Sequence, residues 1–140
     1  MPPDNVEILQ RLFEAWNRDD GSVALESIDP EVEVEVSTPF ELQGTHRGHA
    51  GLREWLAAFW DYFDSPRAEI EECVPTGDDV VVEVHFYARG KTSGAEVDMR
   101  RGQVWTLRDG KVVRIRHFIS RREALEAVGL LEPADSLTDD

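Results

Sequence analysis

Three stretches of this sequence carry side chains that can move protons or hold oxyanions, set at alternating positions among apolar residues. They are Glu83, His85 and Tyr87 in one stretch, Met99, Arg101, Gln103 and Trp105 in the next, and His117 in the third. In a strand, residues two apart share a face. Such spacing therefore gathers Glu83, His85, Arg101, Gln103 and His117 into one polar row inside an apolar surround, a combination that is costly unless paired or wet and that suits a ligand pocket. Imidazole titrates near neutrality, which makes His117 the best general acid or base, with Glu83 and His85 as further catalytic candidates. Gln103 and Tyr87 could hydrogen-bond a developing enolate oxygen. Arg101, Trp105, Met99 and Trp16 complete the expected ligand contacts. A satisfied internal network, with Glu83 paired to Arg101, is the plainer alternative.

Positioning that row depends on a hairpin. Residues 97–119 alternate along two arms with Arg108-Asp109-Gly110 between them, a strong turn signal. A two-residue loop would set Trp105 opposite Arg114 and Gln103 opposite Arg116. A three-residue loop with Gly110 left-handed sets Trp105 opposite Val113, Gln103 opposite Ile115 and Arg101 opposite His117. Slipping by one residue inverts a whole face, and the three-residue loop gives the more consistent burial, so it is the expected register. The inner face then holds Met99, Arg101, Gln103, Trp105, Val113, Ile115 and His117, joined by Val81, Glu83, His85 and Tyr87 from the preceding strand.

The remaining elements follow from periodicity. Residues 4–18 predict an amphipathic helix opened by Asp4 and Glu7 in a capping-box pattern, with Ile8, Leu9, Leu12, Phe13 and Trp16 on one stripe. A short helix over 22–28, a strand at 31–36 with Val32, Val34 and Val36 inward, and a loop over 37–48 come next. A helix over 49–63 buries Leu52, Trp55, Leu56, Phe59 and Phe63. Strands near 67–75, 79–90, 95–108 and 111–119 precede a last helix, 121–128, capped by Ser120 and Glu123. Helices segregated from a mostly antiparallel sheet mean an α+β fold. One domain over 1–130 is expected, with 131–140 an acidic, disordered tail.

Composition narrows the function. With 29 acidic and 15 basic residues the net charge is −14, which argues against nucleic acid or anionic membrane as partners. No apolar run approaches the ~20 residues that span a bilayer. The opening MPPDNVEILQ lacks a secretory pattern, and Cys73 is the single cysteine, so a cytoplasmic protein without internal disulfides is expected. His46 and His49 lack a third ligand nearby, and no glycine-rich phosphate loop occurs, so neither metal nor nucleotide cofactor is expected.

Several short motifs carry a family resemblance: Phe13-Glu14-Ala15-Trp16-Asn17-Arg18-Asp19, Asp29-Pro30-Glu31-Val32, Arg47-Gly48-His49, Trp105-Thr106-Leu107-Arg108-Asp109-Gly110-Lys111 and Glu123-Ala124-Leu125. In order and spacing the chain resembles the SnoaL-like branch of the nuclear-transport-factor-2-like superfamily over about residues 4–130. The resemblance implies a cone-shaped barrel made by a curved, mixed, mostly antiparallel sheet covered by N-terminal helices. Members include polyketide cyclases, steroid isomerases, epoxide hydrolases and association domains. The positions of the ketosteroid isomerase site hold Leu12, Ser37 or Thr38, and Gln103. Those of the epoxide hydrolase triad hold His117 and residues near Glu83 and His85, so neither set is present. Glu83 is the nearest match to the cyclase acid.

Val82, Val84, Phe86, Val104 and Phe118 are expected on the opposite sheet face with nothing to cover them. A homodimer through that patch is expected, as the resemblance also implies. Three readings stay open: a pocket for a small, largely apolar molecule with isomerase, cyclase or hydratase chemistry; the same pocket binding without turnover; and a dimerising interaction module.

Overall fold

A computed structural model of the chain describes residues 4–18, 20–37 and 43–131. In chain order it contains helices α1 (Asn5–Asn17) and α2 (Gly21–Glu26), strands β1 (Ile28–Val36) and β2 (Gly44–Arg47), and helix α3 (Gly48–Tyr62). Strands β3 (Phe63–Thr76), β4 (Asp79–Gly90), β5 (Glu96–Arg108) and β6 (Lys111–Phe118) lead to helix α4 (Arg121–Ala127). The strands make one six-stranded sheet in the order β2-β1-β6-β5-β4-β3. β1 runs parallel to β6 and the other neighbours are antiparallel. This is the α+β architecture that the periodicity implies, with α1, α2 and α3 on the concave side.

Local chemistry explains the helices. Asp4 accepts from the Glu7 backbone N–H at 2.8 Å, closing the first turn of α1. Ile8, Leu9, Leu12 and Phe13 then enter the core with Val32, Val34, Trp105 and Ile115. At the other end, the Asn17 amide donates to the Ala68 carbonyl at 2.8 Å and accepts from the Ala68 N–H at 3.1 Å. A side-chain amide with one donor and one acceptor engaged copies a strand neighbour, so it pins α1 to β3. The short strand β2 lies inside the stretch expected as loop. Its sequence, Gly-Thr-His-Arg, lacks apolar alternation because it is an exposed edge strand.

The hairpin register differs from the expected one. Arg108 pairs with Lys111 around a two-residue turn, and Asp109 and Gly110 both have positive φ, 52° and 78°, as a type I′ turn requires. One residue is then inserted in β6, between Leu107↔Val112 and Thr106↔Arg114. Beyond this bulge Trp105 faces Ile115 and Gln103 faces His117. The three-residue loop is thus replaced by a tight turn plus a bulge. His117 still reaches the inner face, but opposite Gln103 rather than Arg101, and Val112, not Val113, is the buried valine.

The face of β4 is also inverted relative to expectation. Val82 pairs with Gln103, Val84 with Arg101 and Phe86 with Met99, and directly opposed residues share a face. Val82, Val84 and Phe86 are therefore buried in the interior, whereas Glu83, His85 and Tyr87 lie on the outer face. The expected dimer patch does not form. Three of its five members belong to the interior, and Val104 and Phe118 pack with Val81 beneath Ala124 and Leu125 of α4. Leu131, assigned to the tail, packs against the same cluster; the rest of that tail, 132–140, lies outside the described residues.

On the outer face several polar groups are paired with one another. His85 contacts Glu71 at 2.9 Å and Asp98 at 2.7 Å, and Tyr87 donates to Glu69 at 2.5 Å. Arg114 meets Glu35 at 2.8 Å and Arg116 meets Asp79 at 3.5 Å. The hydrogen bond that Tyr87 donates to the Glu69 carboxylate holds that phenol above its ordinary range. Burial, reinforced by Arg114, lowers Arg116, which stays a cation.

Candidate functional site

Between the concave sheet and the helices lies a cavity of about 500 Å³. Strand β5 sends Met99, Arg101, Gln103 and Trp105 into it, β4 adds Val84 and Phe86, and β6 adds His117. Leu12, Phe13 and Trp16 of α1, Ala24 and Leu25 of α2, and Leu52, Arg53, Trp55 and Leu56 of α3 form the opposite wall. Apart from the two arginines, the helix wall and the outer part of the sheet wall are almost entirely apolar. A volume of this order suits a small molecule of drug-like size.

One polar relay runs through this apolar setting. Gln103 and His117 are 7% and 3% exposed, and among the described residues they are the buried polar side chains. Trp105 Nε1 donates to Gln103 Oε1 at 2.8 Å, and Gln103 Nε2 lies 3.0 Å from His117 Nδ1. An indole N–H can only donate. It therefore orients the Gln103 amide, whose NH₂ must face the imidazole, so Nδ1 is the acceptor and the imidazole proton sits on Nε2. Phe13 packs on Trp105 at 5.5 Å between ring centroids, and Trp55 meets the His117 ring edge-on at 5.3 Å. These contacts fix both ends of the relay.

Of the residues singled out in the sequence, Trp16, Met99, Arg101, Gln103, Trp105 and His117 come together at the cavity. Glu83, His85 and Tyr87 do not, because the register of β4 on β5 turns them to the far side of the sheet. Arg53 and Trp55 line the cavity without having been singled out for chemistry. Trp55 was legible only as one of the apolar stripe of its helix, and Arg53, next to Leu52 on that stripe, carries no other mark. His46 lies 3.7 Å from Glu54, and His49 bonds the Ile28 carbonyl at 2.9 Å. Among the described residues no three His, Cys, Asp or Glu side chains gather as a metal site, and no helix is long and apolar enough to cross a membrane.

Comparison with known proteins agrees with this architecture. The family model of the SnoaL-like domain matches residues 9–115. The chain belongs to the SnoaL-like family. Among solved structures it is similar to TerC, co-crystallised with polyporic acid, at 27% identity over 83% of this chain and 91% of that one, TM-score 0.73. An NTF2-like protein of unknown function from Burkholderia pseudomallei aligns with TM-score 0.75 at 19% identity, covering 91% and 99% of the two chains. A protein of ketosteroid isomerase-like fold from Catenulispora acidiphila, in complex with trimethylamine, aligns with TM-score 0.70 at 17% identity over 92% and 95%. The latter two show a shared fold. No curated protein matches the chain.

Proposed function

We propose that this SnoaL-like protein binds a small, largely apolar molecule in the cone-shaped cavity and polarises a carbonyl oxygen of that molecule through His117. The observation that carries the reading is the buried Trp105–Gln103–His117 relay set in an apolar cavity of about 500 Å³. With Nδ1 engaged by Gln103, the proton that the imidazole would offer a ligand is its Nε2–H, an atom buried in this structure, so a ligand would have to displace the wall beside it to reach it. Placing a donor where negative charge develops on oxygen stabilises an enolate-like state, a step shared by isomerisation, ring closure and hydration. The similarity to TerC, which was co-crystallised with polyporic acid, supports a small organic ligand. A cytoplasmic setting and association of two copies through the outer sheet face belong to the same reading.

A specific observation favours a second reading, binding without turnover. Among the described residues no carboxylate lines the cavity, so proton abstraction there lacks an evident base. Titration with 6-propionyl-2-dimethylaminonaphthalene, a neutral apolar ketone, tests the common core of both. Saturable binding is expected, weakened about tenfold in His117→Ala, the loss of one hydrogen bond of about 1–1.5 kcal/mol. Absence of saturable binding, or affinity indifferent to His117, would overturn the proposal. Turnover of a carbonyl compound that disappears in His117→Gln separates the catalytic reading from the binding one.

A further inference from the structure

Among the described residues that line the cavity, four are exposed: Gly21 and Ser22 at the start of α2, and Arg53 and Ala57 on α3. Arg53 and Ala57 are four residues apart and so share one helix face. A residue that both lines a cavity and meets solvent marks where the two join. The neighbouring seam is tied shut, since Asn17 of α1 holds Ala68 of β3 by two hydrogen bonds. By contrast, α2 rests on α1 and β1, and α3 on β1, β2 and β3. Among the described residues no hydrogen bond or ion pair joins α2 to α3.

Gly21, Ser22 and Ala57 carry side chains too short to reach across such a gap. A Cβ on Gly21 would meet no atom within 4 Å, so the space beside it is open. Arg53 adds a long side chain whose charged end can swing in water. We infer that ligands enter and leave the cavity between α2 and α3, and that Gly21 and Ala57 set the width of this mouth and hence the size of molecule admitted. The inference rests on the ligand-binding reading above and adds the route and the size limit to it.

A substitution that only narrows a passage raises the barrier and leaves the free and bound states as they were, so entry and exit slow by one factor while affinity holds. Stopped-flow fluorescence with 6-propionyl-2-dimethylaminonaphthalene reads both rates. Gly21→Phe and Ala57→Phe are each expected to slow association and release alike, by about tenfold or more. Arg53→Ala should quicken both. Val23→Phe, exposed on the same short helix and outside the cavity wall, should change neither. Thermal unfolding checks that each variant folds, and Gly21→Leu or Ala57→Leu replaces one that does not. Unchanged rates in either mouth variant, or one rate changed without the other, would overturn the mouth and leave the pocket standing. Absence of saturable binding to the unaltered protein would overturn the pocket itself, and the mouth with it.

Discussion

The hydrogen on His117 is placed by a residue two hydrogen bonds away from it. Trp105 holds Gln103, and Gln103 holds the imidazole, so the tautomer depends on an indole N–H. Trp105→Phe keeps the ring that packs on Phe13 but removes that donor, which frees the amide to flip. The expected result is a mixture of His117 tautomers in long-range ¹H–¹⁵N spectra, against a single Nε2–H form in the unaltered protein. A stability loss of about 1–2 kcal/mol should accompany it in urea unfolding. A single tautomer in the variant would show that the relay does not set it. Cys73 gives a second test at this scale. Its thiol is pushed above the ordinary value by burial, so the folded protein favours the neutral form. That contribution is complete below the unfolded thiol value and is lost as pH rises through the folded one. Alkylation of Cys73 should be slower than that of an exposed thiol at pH 8, and its rate should keep rising at higher pH.

At the scale of elements, two contacts fix the layers to the sheet. A Cβ on Gly102 would lie 2.1 Å from the Ser120 carbonyl oxygen and 2.7 Å from the Arg121 Cα, so only glycine lets β5 pass under the start of α4. Gly102→Ala should cost about 1–3 kcal/mol, as overpacking does, with faster hydrogen exchange concentrated in α4; undisturbed exchange there would contradict the contact. Asn17→Ala removes both bonds to Ala68 and should cost about 2 kcal/mol, measured by the same unfolding. These two residues also mark what was legible in the sequence. The helical stripes, the strand alternation and the Arg108-Asp109-Gly110 turn signal announced the elements and their order, apart from the edge strand β2, because each depends on local periodicity. The bulge after Val112, the face of β4 and the docking of α4 did not show, because each is settled between elements. In Val80-Val81-Val82 both faces read as apolar, and only pairing with β5 decides that Val82 is interior and Glu83 is not. Giving the polar row Glu83–His85–Tyr87 to the pocket followed from that ambiguity, whereas Gln103 and His117 reached it because a tight turn and a one-residue bulge together restore the face that a longer loop would have given.

For the whole molecule, charge and the outer face bear on assembly together. Among the described residues that face offers no bare apolar sheet: α4 covers Val81 and Val104, and the remaining strands display ion pairs such as Arg114–Glu35 and Arg116–Asp79. Two copies meeting there would bury charges that already have partners, which keeps the desolvation cost below that of unpaired ions. They would also bring two chains of −14 together, a repulsion that counter-ions screen within about 8 Å at physiological ionic strength. A dimer formed this way should be strengthened by salt, the reverse of one held by attraction between oppositely charged surfaces. The association proposed above predicts twice the chain mass of 15.9 kDa in sedimentation at micromolar concentration and 0.15 M salt, with monomer appearing as salt is lowered. Arg114→Glu, which breaks its pair with Glu35 and adds negative charge at the contact, should shift the balance toward monomer at least tenfold. A monomer at every ionic strength would remove the outer face as an interface, and a dimer that dissociates as salt is raised would mean that a different, charge-complementary surface holds it.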